Sequence, residues 1–303
     1  MLPGLSGSGP GHGRHQSSLY GQERRVESGL YVVATPIGNL ADLSRRALEV
    51  LEAATLVAAE DTRHSLRLLQ HFNVRAPLQA YHEHSGARAQ QRILEVLAQG
   101  GVVALVSDAG TPLISDPGYR LVRAVQDAGY RVVPIPGACA AIAALSVAGL
   151  PTDRFLFAGF LPARPAARAS QLQSLRGESA TLVFYEAPHR ISETLDALCR
   201  EFGEEREALL ARELTKTFET VRRDTLGALR EWVALDANQQ RGEIVLVVAG
   251  AAAVERALDE ELARWLLRLA EELPAKRAAA VVADMTGLRK KVLYDYLVQH
   301  RPD

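Results

Sequence analysis

At 303 residues the chain exceeds the roughly 100–200 residues of one ordinary domain, so two domains with appendages are expected. Hydrophobic residues make up 48% and charged residues 23%, as in a soluble globular protein, and a formal net charge of -1 names no partner. Two cysteines without Cys or His at metal-ligand spacing argue against a disulfide framework or a zinc site, and no run of 18 apolar residues reads as a transmembrane helix.

Residues 1 to about 28 are rich in Gly, Ser, Pro and His without an apolar period and read as a disordered leader with no secretory h-region. Leu30–Ala34 reads as a strand running into the tight loop Thr35–Asn39. Asp42 is placed to cap a helix carrying Leu43, Ala47, Leu48 and Leu51, and a strand follows at Thr55–Ala59. Val102–Val106 and Arg131–Ile135 are further strands around a helix from about Gly118 to Ala128. Strands alternating with helices predict an α/β domain over 29–149 with a mainly parallel sheet.

A second unit of the same class is expected over 150–252, after a small-residue helix Ala138–Ala148. Its strands are Thr181–Tyr185, Ala208–Ala211 and Glu243–Val248, with helices near 189–200 and 224–234. Leu161–Arg168 reads as a basic surface segment. From 253 to 303 the pattern is purely helical: Leu262, Trp265, Leu266 and Leu269 share a face, Pro274 opens a second helix, and Leu293, Tyr296 and Leu297 mark a third. Only four of 35 cationic residues are lysines, Lys216, Lys276, Lys290 and Lys291. The arginine bias suits phosphate contacts, or reflects genomic base composition.

The most informative segment is Ser107–Gly118, which packs Asp-Ala-Gly-Thr-Pro and Asp-Pro-Gly behind a buried strand, where open α/β sheets bind ligands. Neither a Walker-type loop nor a dinucleotide glycine fingerprint is present, so backbone groups and small side chains are expected to hold the ligand. Pro134–Ala141, at the end of the next strand, suits the same cleft. His82 and His84 alternate on a strand without further ligands, so no metal is expected.

Seven ordered blocks, Thr35–Leu40, Ala59–Arg63, Ser107–Gly118, Pro136–Ala138, Phe184–Arg190, Arg212–Lys216 and Arg241–Glu243, together resemble the ribosomal RNA small subunit methyltransferase I branch of the tetrapyrrole methylase superfamily. The resemblance runs from about Leu30 to Tyr294. It implies two α/β domains of that type with the cofactor cleft between them, plus a small C-terminal helical appendage. It also implies a homodimer that uses S-adenosylmethionine to 2'-O-methylate a cytidine ribose in the decoding region of 16S ribosomal RNA; the 30S subunit is the expected partner, naked RNA staying open, and the two unpaired cysteines suit a reducing cytoplasm. Carried over by position, cofactor contacts fall on Pro36, Ala109, Gly110, Thr111, Ile114, Cys139, Ala140, Glu186, Leu214 and Gly242, many through backbone atoms. Cys139 departs from the Ser or Thr usual there, and Thr35–Leu40 departs from the glycine-rich loop of the corrin and porphyrin branch.

Methyl transfer from a sulfonium is an in-line displacement that needs alignment and a deprotonated acceptor, not a metal. Glu60 and Asp61 are candidates for base or ribose positioning, and Lys216 for lowering the effective pKa of the hydroxyl. An ion pair of the carboxylates with Arg63 is the alternative. Arg63, Arg164, Arg168 and Arg190 are candidate RNA contacts, as is Arg289-Lys290-Lys291 beside a helix-turn-helix joint. The rival readings are a tetrapyrrole small-molecule methylase and a non-catalytic RNA-binding assembly factor.

Overall fold

A computed structural model describes residues 26–82, 85, 87–116, 118–252 and 258–300. Most of the expected leader, and His84, lie outside the described residues. The chain divides into two compact units, one ending at Cys139 and the other starting at Ala140. The sequence reading puts this boundary at 149/150.

The first unit runs β1 (Gly29–Val33), α1 (Arg45–Ala53), β2 (Leu56–Ala59), α2 (Thr62–His71), β3 (Leu78–Ala80), α3 (Ala87–Ala98), β4 (Val102–Val106), α4 (Tyr119–Asp127) and β5 (Val132–Ile135). The sheet order is β3-β2-β4-β1-β5, parallel throughout. Helices cover both faces, which is why β2 and β4 are apolar at every position and buried along their length. Tyr31, Val33, Val57 and Ala104 pack on one side, and Leu30, Leu56, Val103 and Leu105 on the other. Parallel strands joined by helices bring the ends of β1, β2, β4 and β5 to one edge. β3 is only three residues long and too polar at Gln79 to stand out in the sequence.

Asp42 does not cap α1. It ends a 3-10 turn, Leu40–Asp42, whose own cap is Asn39, and the cap of α1 is Ser44, which accepts from the Ala47 amide at 3.1 Å.

The second unit runs α5 (Ala140–Ser146), β6 (Phe155–Phe160), α6 (Pro165–Leu175), β7 (Thr181–Glu186), α7 (Ile191–Phe202), β8 (Glu207–Arg212), β9 (Thr220–Thr225), α8 (Leu226–Leu235), β10 (Ile244–Val248), α9 (Glu260–Glu272), α10 (Ala275–Thr286) and α11 (Lys290–His300). The expected mainly parallel sheet is not what forms. In the order β6-β7-β10-β8-β9 only β6 and β7 are parallel. The short helix-free connection between β8 and β9 forces a hairpin, since a parallel return needs a long crossover. α5 packs against β7 and β10, which is why the contacts assign it to this unit. Leu182, Phe184, Leu210 and Leu246 face a core closed by α7 and α8, and burying a side chain the size of Phe184 is worth about 2 kcal/mol.

Within Leu161–Arg168, read as a surface segment, residues 163–167 are exposed, but Leu161 is buried and Pro165 opens α6, whose Arg168 and Leu172 point inward. α9 to α11 have a core of their own around Leu266, Ala279, Leu293 and Leu297. Trp265 sits at the edge of the apolar stripe and faces outward, 62% exposed. Gly287 closes α10 in the left-handed conformation that glycine favours. Residues 258–300 carry seven Arg or Lys and seven Asp or Glu. No described helix is long and apolar enough to cross a membrane.

Candidate functional site

In the first unit, Pro36 follows β1, Glu60 and Asp61 follow β2, Ala109 to Ile114 follow β4, and Cys139 lies beyond β5. All stand at the strand ends that the parallel topology gathers. The β1 and β4 loops are knitted by hydroxyls: Thr35 Oγ1 donates to the Ser107 carbonyl at 3.3 Å, and Ser107 Oγ donates to the Gly110 carbonyl at 3.3 Å. Thr35 and Gly110 also exchange two backbone hydrogen bonds, at 2.9 and 3.1 Å. Thr111 Oγ1 donates to the Ala138 carbonyl at 2.9 Å, tying this loop to the one after β5. The Thr111 hydroxyl is thereby engaged within the protein.

Backbone strain concentrates here. Gly110 has φ 82°, and Leu113 and Ser115, which are not glycines, have φ 73° and 68°. Such conformations cost of order 1–3 kcal/mol each and cluster where a ligand is held. Glycine also keeps the loops open to close approach: a Cβ on Gly137 would lie 2.8 Å from the Ala34 Cβ. Ala109 and Ile114 remain exposed beside this bare backbone.

Glu60 lies among carboxylates. Burial raises its pKa, and the Asp116 and Asp108 charges add to the effect. Asp116 is likewise raised by burial and by Asp108, against a hydrogen bond from Ser107. Asp108 Oδ1 accepts from the Asp61 amide at 3.0 Å, which fixes the turn after β2. Asp61 instead caps α2, accepting from the Arg63 amide at 2.8 Å and from its guanidinium at 2.8 Å, which holds its carboxyl far below the usual range. Of the two sequence candidates, Asp61 thus has the ion pair with Arg63. Sequence reasoning missed Asp108 and Asp116, although both stand in the loop it singled out.

In the second unit the antiparallel register does equivalent work. Ile244 pairs with both Glu186 and Arg212, so the start of β10 meets the ends of β7 and β8, and Glu186, Leu214, Lys216 and Gly242 gather at one sheet end. Ala140 opens α5, which is fastened there by the Ala141 amide donating to Tyr185 Oη at 3.2 Å. Glu186 is fully buried. Its oxygens accept from the Ala187 amide at 2.8 Å and Thr194 Oγ1 at 2.6 Å, beside the Arg190 guanidinium at 3.3 Å. Its carboxylate supports the loop from within, so a ligand contact at this position falls to the backbone.

Glu213 and Thr215, on either side of Leu214, have φ 51° and 67°. The Lys216 ammonium donates to Glu213 Oε1 at 2.8 Å and Glu243 Oε2 at 3.1 Å. Burial alone would lower the Lys216 pKa, but the two carboxylates outweigh it and the value is raised.

The candidate RNA contacts separate clearly. Arg168 is not at the surface: it is 4% exposed and donates to Glu193 at 3.0 Å, because it lies on the inner face of α6. Arg190 is largely enclosed and donates to the Leu161 carbonyl at 2.5 Å, so it too is a poor RNA contact. Arg63 and Arg164 are exposed, as are Arg289, Lys290 and Lys291 at the start of α11. Among the described residues no group of three His, Cys, Asp or Glu side chains is placed to hold a metal ion.

Residues 29–230 match the family described as Tetrapyrrole (Corrin/Porphyrin) Methylases, and residues 256–301 match the RsmI C-terminal HTH domain. The protein named ribosomal RNA small subunit methyltransferase I of Pseudomonas aeruginosa is 57% identical over 274 residues, covering 90% of this chain and 97% of its own. The protein of that name from Escherichia coli O157:H7 is 50% identical, covering 95% and 99%. Among solved structures, the methyltransferase CobJ aligns with a TM-score of 0.55 at 20% identity, covering 74% of this chain and 95% of its own. Uroporphyrin-III-C-methyltransferase from Thermus thermophilus aligns with a TM-score of 0.52 at 23% identity, covering 73% and 94%. These two likenesses concern the fold alone.

Proposed function

The chain belongs to the tetrapyrrole methylase family and, within it, to the ribosomal RNA small subunit methyltransferase I branch, and from this premise we propose that it methylates the 2'-hydroxyl of a cytidine ribose in the decoding region of 16S ribosomal RNA, using S-adenosylmethionine. The observation that carries this reading is identity of half or more along nearly the whole chain, helical appendage included, to proteins bearing that name.

The loops fit the cofactor. Residues 107–116 carry two carboxylates and no basic side chain, an environment suited to a cationic sulfonium rather than a phosphate. Bound there, S-adenosylmethionine supplies an electrophilic methyl group for in-line displacement. The residues this reading assigns to holding it are Pro36, Ala109, Gly110, Thr111, Ile114, Cys139, Ala140, Glu186, Leu214 and Gly242. With Thr111 and Glu186 engaged internally, most of these contacts use main-chain atoms, so cysteine in place of Ser or Thr at 139 is tolerated.

Glu60 takes the proton from the ribose hydroxyl, since its raised pKa makes it a stronger base than an ordinary carboxylate. Asp61 caps α2 and orients Arg63, and Lys216, shared by Glu213 and Glu243, braces the loop around Leu214. Arg63, Arg164, Arg289, Lys290 and Lys291 meet the RNA backbone. The 30S subunit is the substrate and the cytoplasm the compartment. A homodimer completes the reading, supported by the exposed Phe155 and Phe160 on edge strand β6.

The test is to offer labelled S-adenosylmethionine with 30S subunits, naked 16S rRNA or a precorrin. Label on a cytidine ribose of the subunit is expected. Label on the precorrin alone would establish the small-molecule reading, and RNA affinity without cofactor binding would establish the assembly-factor reading.

A further inference from the structure

Arg212 is the last residue of β8 and is only 7% exposed, yet it is a full positive charge. Burying a guanidinium is costly unless its donors are met. Here Nε donates to Gln239 Oε1 at 3.1 Å, and Nη1 to the Arg241 carbonyl at 3.4 Å. Nη2 donates to the Phe218 carbonyl at 3.0 Å and Thr220 Oγ1 at 3.1 Å. These acceptors lie on two separate segments. Phe218 and Thr220 end the loop that carries Leu214 and Lys216, whereas Gln239 and Arg241 belong to the turn leading into Gly242 and β10.

Gln239 is itself fixed, its amide donating to Asp236 Oδ2 at 2.8 Å, while Asp236 Oδ1 accepts from the Asn238 amide at 2.9 Å. The planar five-donor fork of arginine reaches both segments at once, which a lysine ammonium at the same place would not. Between the clamped ends, Glu213 and Thr215 are held at positive φ and the Glu213 side chain lies against Gly242. A strained loop persists only where its surroundings over-determine it.

We propose that Arg212 is a positioning residue for cofactor binding: its buried guanidinium locks the 213–219 loop to the 239–242 turn and so sets Leu214 and Gly242 before the ligand arrives. The inference rests on the methyltransferase reading. A fork made before binding spares the ligand the cost of ordering two loops.

The experiment compares wild type, Arg212→Lys, Gln239→Leu and Thr220→Val by calorimetry with S-adenosylmethionine, steady-state kinetics and amide hydrogen exchange. Leu229→Ala, in the core of the same unit, controls for lost stability. For R212K, the Kd and KM for S-adenosylmethionine are expected to rise about tenfold or more, with kcat at saturation within about threefold. The Lys216 and Glu219 amides should exchange faster. Gln239→Leu and Thr220→Val should shift Kd in the same direction by less, and they decide the matter if R212K is insoluble. Leu229→Ala should lower Tm and leave Kd within about twofold. Clamp variants that bind the cofactor like wild type, or a Leu229→Ala that weakens it equally, would overturn the proposal. A wild-type chain that does not bind S-adenosylmethionine would sink the methyltransferase reading itself, a separately visible result.

Discussion

Gly242 and Glu213 are packed so that a methyl group on the glycine would run into the carboxylate and Cγ of the glutamate. The contact lies in the loop system that holds Leu214, and Gly242 has φ 78°, where a Cβ is strained even without a neighbour. Gly242→Ala should therefore cost about 2 kcal/mol or more in unfolding experiments and weaken cofactor affinity about tenfold by calorimetry.

Glu60 offers a prediction in which stability and activity move oppositely. Its pKa is raised by burial and by Asp116 and Asp108, so its folded form favours the protonated state. The stability this group contributes is present below its ordinary pKa and lost as pH rises through the raised value. Glu60→Gln should then stabilise the protein at pH 7 by under about 1 kcal/mol after solvent screening, with the gain fading toward pH 4. The same change should lower kcat about a hundredfold, and the wild-type rate should climb with pH until Glu60 is ionised. A Glu60→Gln enzyme with undiminished kcat would remove the base from the mechanism.

Arg168 and the Arg289-Lys290-Lys291 cluster should separate cleanly in RNA-binding titrations. Arg168→Ala removes the buried partner of Glu193, so Tm falls by an amount corresponding to about 1–3 kcal/mol while the salt dependence of binding stays as in wild type. Changing all three cluster residues to alanine should reduce the slope of log affinity against log salt by about 2 and leave Tm nearly unchanged.

Thr194→Val tests the support beneath the β7 loop. It keeps the shape but strips one oxygen of the buried Glu186 of its hydroxyl donor, which should cost about 2 kcal/mol. Thermal unfolding measures the loss directly, and Thr194→Ser should restore most of it.

What could be seen in the sequence follows from the physics of each region. β4 and β10 announce themselves because they are buried throughout and apolar throughout, and the Ser107–Gly118 loop because its composition suits no ordinary turn. α6 was legible only as a Pro-containing basic stretch, since the inward turn of Arg168 depends on Glu193 across in α7. The hairpin β8–β9 escaped because β9 carries three consecutive charged residues, Arg222, Arg223 and Asp224, and only one large apolar residue, Val221. Arg212 closes an apolar run and looks like a strand end in one dimension. Its four acceptors come from residues 218 to 241, a convergence that no local pattern records.

The equal numbers of acids and bases in residues 258–300 have a kinetic consequence. A module without excess positive charge exerts little long-range pull on RNA, because non-specific capture grows with the phosphates neutralised. On the proposed reading, the pull of this module on RNA then depends on the local Arg289-Lys290-Lys291 cluster rather than on the net charge of the module.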